Sequence, residues 1–416
     1  MSKNYREILS KNMGIKDVNE ITSIISAEEL KNYCINFTEN SFKPGNRKDD
    51  LILDSHDFCY LENGEFKANL HCHTNHSDGL SDVKNILEQA NKIADKNGFF
   101  LLAITDHDTI NGTKEALKII SGNPHKYKKL KVILGLEIST VAINFKNQKQ
   151  PVSVHLLVYG INPFDKKLEE FLERKRKLKL ELANKTINEL NNELSDKLGF
   201  KFYIEEAALI HEMVAKGQDE VSHPLKKYTS GKILCNFYCP DADFTYDKPI
   251  KKYKYLFKSS KPYYKTYKTA LEMYLDKQLP QIPQDVEELI LKAKEIYEKS
   301  HPTLNNMLEA FSSFEETVEF ISSLDFGLMC IAHPARTNAD KIDSTIENFY
   351  TDFFETFKKY GKDKACFYEG YYQSYEGETL ISRLKDIDKS ALKYKLIPTG
   401  GLDSHGLDVI TRCPYT

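Results

Sequence analysis

Asn69-Leu70-His71-Cys72-His73-Thr74-Asn75-His76-Ser77-Asp78-Gly79 is the stretch on which the reading of this chain turns. Side chains at i and i+2 leave a β-strand on the same side, so His71 and His73 can aim two imidazoles at one point as a strand ends. Asp78 follows within the same short segment. Imidazole is the commonest protein ligand for zinc and its neighbours, which makes a divalent-metal site one reading of these residues. A solvated polar loop is the other.

The same grammar recurs downstream. Phe99 to Thr105 runs into Asp106-His107-Asp108, Lys131 to Leu136 into Glu137, and Val152-Ser153-Val154 frames His155. Leu328 to Ala332 meets His333-Pro334-Ala335-Arg336, Ala365 to Tyr368 meets Glu369, and Leu396 to Gly401 leads to Asp403-Ser404-His405-Gly406. Short continuous apolar runs are the pattern of strands buried on both faces, as in parallel sheets. Barrel enzymes carry their chemistry at the C-terminal ends of such strands.

With 416 residues, 41% of them hydrophobic, the chain can bury one large domain with insertions or two domains. A net charge of -3 gives no global case for nucleic acid or membrane, so any such binding must come from local patches. Cysteines 34, 59, 72, 235, 239, 330, 366 and 413 are scattered singly, and no signal peptide precedes them, so a reduced, cytoplasmic protein is expected. No apolar run approaches the roughly 20 residues of a membrane span, and no protein partner is called for.

Four segments follow from the pattern. Residues 1–65 are expected to be a helical N-terminal extension, with Glu28 to Tyr33 helical, capping the first strand. Residues 66–165 form the first part of an α/β array: strand Lys67 to Leu70; helix Ser81 to Asn97 with Ser81 as N-cap and Val83, Ile86, Leu87, Ala90, Ile93 and Ala94 buried; helix Asn111 to Ile120; and strands ending at Glu137 and around His155. This alternation predicts parallel strands joined by helical crossovers. Residues 166–325 make a large, mostly helical insertion opening on a long helix, Lys166 to Leu198, and residues 326–416 complete the array to seven strands. His56 and Cys59 are taken as packing residues. Cys235 and Cys239, near His223 and Asp241, are taken as buried thiols.

His71-Cys72-His73, Ser77-Asp78-Gly79, Ile104-Thr105-Asp106-His107-Asp108-Thr109, Gly135-Leu136-Glu137, His155-Leu156-Leu157-Val158-Tyr159-Gly160, Ala332-His333-Pro334 and Gly401-Leu402-Asp403-Ser404-His405-Gly406 resemble, in order, the successive motifs of the polymerase and histidinol phosphatase (PHP) family. The resemblance implies a distorted seven-stranded (β/α) barrel with a trinuclear site of two to three divalent ions, zinc, manganese or iron. Carried over residue by residue, His71, His73, a bridging Glu137 and Asp403 would hold the first ion. Glu137, His155 and His333 would hold the second, and Asp78, His107 and His405 the third. Asp106 and Asp108 are candidates either for orienting an imidazole through its other nitrogen or for capping the helix that follows.

The chemistry so implied is phosphoester hydrolysis: a water between two ions loses its proton and attacks phosphorus in line. Glu137, Asp403 and His405 would be the catalytic set. Arg336, three residues after His333, is the candidate to pair with substrate phosphate, because a guanidinium matches phosphate bidentately. Pairing with a surface carboxylate is its alternative. His223 is a second substrate-binding candidate, although Val221-Ser222-His223 lacks the arginine that often precedes such a histidine in nucleotide phosphatases of the family.

Substrate class rests on Lys248 to Lys268, which holds eight lysines, five tyrosines and no acid. Such interleaving can track a phosphate backbone while stacking bases, or it can be a solvated surface. The expected substrates are nucleotides or short single-stranded oligonucleotides. A metabolite phosphatase acting on a compound such as histidinol phosphate, and a non-catalytic module of a larger assembly, are the alternatives. If the lysines track phosphates, oligonucleotide binding should weaken with salt at a log-log slope of about -0.7 per phosphate engaged. Replacing Lys251, Lys252 and Lys254 together with Gln should flatten that slope and raise KM for oligonucleotides, while hydrolysis of a small chromogenic phosphodiester stays the same. An unchanged slope and KM would make the stretch a solvated surface.

Overall fold

The computed structural model describes residues 2–41, 67–79, 81–143, 145, 151–203, 229–234, 284–300, 312–336, 346–372, 378–406 and 409. The chain divides into two compact units, Met1–Glu173 with Phe311–Thr416, and Arg174–Ala310.

The first unit is built on β1 (Ile24–Ile25), β2 (Ala68–Asn69), β3 (Phe100–Ile104), β4 (Leu130–Ala142), β5 (Val152–Tyr159), β6 (Leu328–Ile331), β7 (Ala365–Tyr372) and β8 (Ile397–Gly401). Strands β2 to β8 lie side by side in chain order. The ends of that row meet: Leu70 N–H donates to Gly400 O (3.2 Å), His73 N–H to Ser404 O (2.9 Å), and Ser404 N–H to His71 O (3.1 Å). These bonds lead the row of seven strands round into a nearly closed, distorted (β/α) barrel, the fold class that the family resemblance implies.

One strand departs from that expectation. β5 runs antiparallel to both β4 and β6, whereas the other neighbouring pairs in the row are parallel. The cause is connection length. Only residues 143–151 separate β4 from β5, too few for the helical crossover that a parallel neighbour requires. His155 therefore sits inside β5, opposite Ser139, rather than at a strand's C-terminal end. β4 likewise continues past Glu137 to Ala142.

The N-terminal residues are part of the sheet rather than a cap on the first strand. Ile24 and Ile25 pair with Val132 and Ile133, along the early half of β4 that β5 does not reach. Two helices flank β1, α1 (Ser2–Met13) and α2 (Ala27–Ser41). Gly160 sits where α2 begins, and at φ +71 a Cβ there would lie 2.6 Å from Ala27 N, so no side chain fits.

Helix α3 (Val83–Asn97) is capped by Asp82, whose carboxylate accepts from Asn85 N–H, instead of by Ser81. The Ser81 hydroxyl bonds the Asn85 side chain instead. Val83, Ile86, Leu87, Ala90 and Ala94 form the buried face as predicted, and Asn91 joins it, while Ile93 is only partly buried. Helix α4 (Asn111–Gly122) follows β3. Helix α5 (Lys166–Leu198) matches the predicted bounds.

In the second unit, helix α6 (Gln284–Ser300) is described, and Asn191 clamps the backbone of Phe202 through two hydrogen bonds. Back in the first unit, α7 (Phe314–Ser323) begins at a Ser313/Glu316 capping box. It packs Phe314 against Phe353 of α8 (Ile346–Gly361), and α9 (Glu378–Lys393) precedes β8. His56, Cys59, His223, Cys235, Cys239, Asp241, the Lys248 to Lys268 stretch and Cys413 lie outside the described residues. Among the described residues no helix is long and apolar enough to cross a membrane.

Tyr5 tests whether the N-terminal residues are integral to the barrel. Its buried hydroxyl donates to Ile161 O at 2.8 Å. Tyr5→Phe leaves that carbonyl without its donor and should cost about 1–3 kcal/mol in denaturant unfolding. A loss below about 0.5 kcal/mol would show that the helix docks without it.

Candidate metal centre

Glu137 is fully buried and sits where β3 and β4 still run together: its N–H donates to Asp106 O (3.1 Å), and Asp108 N–H donates to its carbonyl (2.7 Å). Its two carboxylate oxygens face different partners. Oε1 lies 2.9 Å from His155 Nδ1 and 3.3 Å from His333 Nε2. Oε2 lies 3.0 Å from His71 Nε2, 3.2 Å from His73 Nε2 and 3.2 Å from His107 Nδ1. Asp403 Oδ1 approaches the same two nitrogens of His71 and His73, at 3.2 and 3.0 Å. Asp78 Oδ2 is 3.1 Å from His405 Nε2 and 3.9 Å from His107 Nε2.

Three overlapping clusters result, with ligand atoms within 4.8 Å of one another: His71, His73, Glu137 and Asp403; His107, Glu137 and His155; and His73, Asp78, His107 and His405. The first is the predicted first set. In the second, His107 stands close where His333 was expected, and His333 reaches the same oxygen of Glu137 as His155. The third is the predicted set joined by His73. All nine residues named from the sequence meet in one place.

Several local features hold them there. Asn69 makes four side-chain hydrogen bonds, accepting from His71 N–H and Leu402 N–H and donating to the Ser404 hydroxyl and Val409 O, which ties the first motif to the last. The Asp106 carboxylate accepts from Thr74 N–H (2.6 Å), the Thr74 hydroxyl (2.8 Å) and the Ser77 hydroxyl (2.8 Å), so it moulds the turn between His73 and Asp78. Asp108 accepts from Ser139 N–H (3.2 Å). Neither aspartate caps α4, whose N-cap Ile110 makes no side-chain bond. Asp106 thus bonds backbone and hydroxyl groups of the first motif, and Asp108 bonds the backbone of β4. Gly79 is required by close approach, since a Cβ there would lie 2.5 Å from His73 O. Asp403 (φ +50) and His333 (φ +27) occupy backbone conformations that cost energy in side-chain-bearing residues and are held by their surroundings.

The electrostatics are those of a buried ion cluster. Burial pushes the Glu137 carboxyl up, but the charges of His107, His71 and His155 hold it well below the usual range. Asp403 and Asp78 are lowered in the same way, against burial, by His71 and His405 and by His405 and His107 respectively. Burial lowers His71, yet Glu137, Asp403 and Glu369 leave it well above its ordinary value. His73 is pulled down by burial and by His405, but Asp403, Glu137 and Asp78 push it up to about 9.

The donor set fits divalent cations. Asp78 Oδ1 is buried without a hydrogen bond, a lone-pair position that a cation would satisfy, and His73 Nε2 points between Glu137 and Asp403, where a cation could replace its proton. Six imidazoles mixed with three carboxylates suit zinc, manganese or iron. His405 Nδ1 lies 2.7 Å from the carbonyl oxygen of Asp403, so in the neutral ring the proton belongs on Nδ1 and the Nε2 lone pair faces Asp78.

Arg336 lies at the edge of this cluster. Its guanidinium donates to Tyr372 OH (2.9 Å) and is 3.6 Å from Asp403 Oδ2, so its carboxylate neighbour belongs to the site and not to the surface. Two further residues of the cluster carried no role in the sequence reading. Tyr372 OH donates to Asp403 Oδ2 at 2.8 Å, and Glu369 bonds His71. Glu369 follows an apolar run like the others, which was its signal; Tyr372, inside an apolar strand, had none.

A model of the PHP domain matches residues 69–311, more than half of the chain. The chain belongs to the PHP family. The matched span ends before His333, Glu369, Asp403 and His405, which the barrel itself brings to the PHP site. An uncharacterized protein of Methanocaldococcus jannaschii is 36% identical over 85 residues, 18% of this chain and 44% of that relative. The PHP chain thus spans less than half the length of that relative. Similar solved structures include a candidate metal-dependent phosphoesterase from Bifidobacterium adolescentis (TM-score 0.46, 19% identity, 82% of this chain and 88% of that one). An amidohydrolase from Chromobacterium violaceum with bound sulfate and no metal is another (TM-score 0.45, 18% identity, 82% and 88%).

Raised imidazoles bear protons that an incoming cation must displace. In the metal-free PHP protein the stabilisation from raised His73 is complete below about 6.5, and it is lost as pH rises through about 9. Zinc affinity measured against a competing chelator should therefore rise with pH between about 6.5 and 9, by roughly tenfold per unit for each proton displaced. A flat profile would mean that the metal-free imidazoles are neutral.

Proposed function

We propose that this PHP-family protein is a metal-dependent phosphoesterase acting on phosphate esters of nucleotides or short oligonucleotides. The observation that carries the reading is the division of Glu137: one oxygen faces His155 and His333, the other His71, His73 and His107, so a single carboxylate can serve two neighbouring cation sites. His71, His73, Glu137 and Asp403 would hold the first ion, Glu137, His155 and His333 the second, and Asp78, His107 and His405 the third. Divalent ions so held supply Lewis acidity for a phosphoryl group and lower the pKa of a water.

The remaining work falls to the chain's own groups. Arg336, anchored on Tyr372, presents a fixed cation to the non-bridging oxygens of a phosphate. Asp403 and Glu137 keep the imidazoles aligned, and His405 holds its proton on Nδ1 against the Asp403 carbonyl. The nucleotide part of the reading is supported by Lys248 to Lys268, where lysines alternate with tyrosines.

Purified without chelator, the protein should contain two to three divalent ions per chain and release phosphate or a mononucleotide in a screen over nucleotides, oligonucleotides, bisphosphates and sugar phosphates. Glu137→Gln keeps the shape and removes the charge, so metal content and turnover should fall together. Arg336→Ala should mainly raise KM and leave metal content unchanged. Absence of metal after growth in replete medium would overturn the assignment, and release from sugar or metabolite phosphates alone would overturn its nucleotide part.

A further inference from the structure

Glu369 is outside the nine residues above, yet it touches two of them. We propose that Glu369 is a positioning residue that decides which nitrogen of His71 faces the cations and that locks His333 beside it, coupling the first ligand set to the second. The inference rests on the reading that these histidines hold metal.

The carboxylate of Glu369 is buried, with its oxygens 3.1 and 3.3 Å from His71 Nδ1. The opposite nitrogen of the same ring, Nε2, faces Glu137 and Asp403 at 3.0 and 3.2 Å. An ionised carboxylate only accepts hydrogen bonds. Glu369 therefore keeps the proton of a neutral His71 on Nδ1 and turns the Nε2 lone pair toward Glu137 and Asp403. Glu369 Oε2 also accepts the backbone N–H of His333 at 2.8 Å. That bond holds a residue whose φ of +27 is costly, and it sets the start of the side chain that reaches Glu137 Oε1.

Gly401 completes the arrangement. A Cβ at that position would lie 2.5 Å from His71 Cβ and 2.7 Å from Glu369 Oε1, so β8 passes directly against the pair. Ring, carboxylate and strand confine one another. A carboxylate serving only to fasten the barrel would need no contact with an imidazole nitrogen.

The test compares zinc stoichiometry, zinc affinity by chelator competition and metal-free melting for the full chain, Glu369→Gln and Glu369→Asp. The Gln amide can donate as well as accept, so it no longer selects the Nδ1–H form; affinity should fall about 10- to 100-fold in protein that remains folded, whatever the loss of its charge beside His71 does to the metal-free melt. Glu369→Asp keeps an acceptor-only group and should recover part of the loss. In the zinc-loaded parent labelled with ¹⁵N-histidine, His71 should show a protonated Nδ1 and a coordinated Nε2. This spectrum decides the matter even if the Gln variant does not fold. Variants with parental affinity, or His71 coordinated through Nδ1, would overturn the inference while leaving the metal site standing. A parent that binds no zinc would overturn the metal reading itself.

Discussion

The charge of Glu137 is the constraint on which the rest depends. A carboxylate with no access to water is costly unless opposite charge surrounds it, and here the charges of His107, His71 and His155 do so, with His73 and His333 close to the same two oxygens. These imidazoles come from the ends of β2, β3 and β6 and from the middle of β5, so the compensation exists only once the barrel has formed. Without metal, the protons held by His71 and His73 offset the carboxylates. With metal, cations take that place, which makes binding, protonation and folding one linked equilibrium.

Reversal of β5 serves the same end. A strand entering from the opposite direction lets His155 meet Glu137 from mid-strand, with Glu137 opposite Leu157 in the ladder. The antiparallel pairing starts only at Gly135, which leaves the early part of β4 with an unpaired edge on that side. Ile24 and Ile25 fill it. Pairing rules out an exposed edge, so the N-terminal residues became part of the sheet because of a connection made over a hundred residues later.

What the sequence made legible follows from where information is local. Each apolar run that ended in His, Asp or Glu declared itself, and the nine residues that the resemblance implied converge in the barrel. The direction of β5 is also local, written in the nine residues 143–151, whose shortness outweighs the strand–helix alternation around them. Asp106 and Asp108 lie beside His107 in the chain, yet their hydrogen bonds go to Thr74, Ser77 and Ser139. Glu369 acts on His71 across a separation of 298 residues. Such roles are set by which strands become neighbours, and no spacing rule encodes them. The PHP resemblance supplied that neighbourhood for the nine candidate ligands and was silent about the groups behind them.

Tyr372 shows what those supporting groups contribute. Burial, together with the charge of Asp403, pushes its phenol far above the ordinary range, so it stays protonated and donates to Asp403 Oδ2. Its oxygen is then available to accept from Arg336. Asp403 is thereby divided: Oδ2 is engaged by the phenol and approached by the guanidinium, while Oδ1 alone faces His71 and His73. A carboxylate free at both oxygens could rotate or chelate, whereas this one offers a single oxygen in a fixed direction. The same phenol fixes Arg336, a long side chain that would otherwise lose rotamer freedom on meeting a phosphate. One hydroxyl therefore orients a candidate ligand on one side and prepares the anion-binding cation on the other.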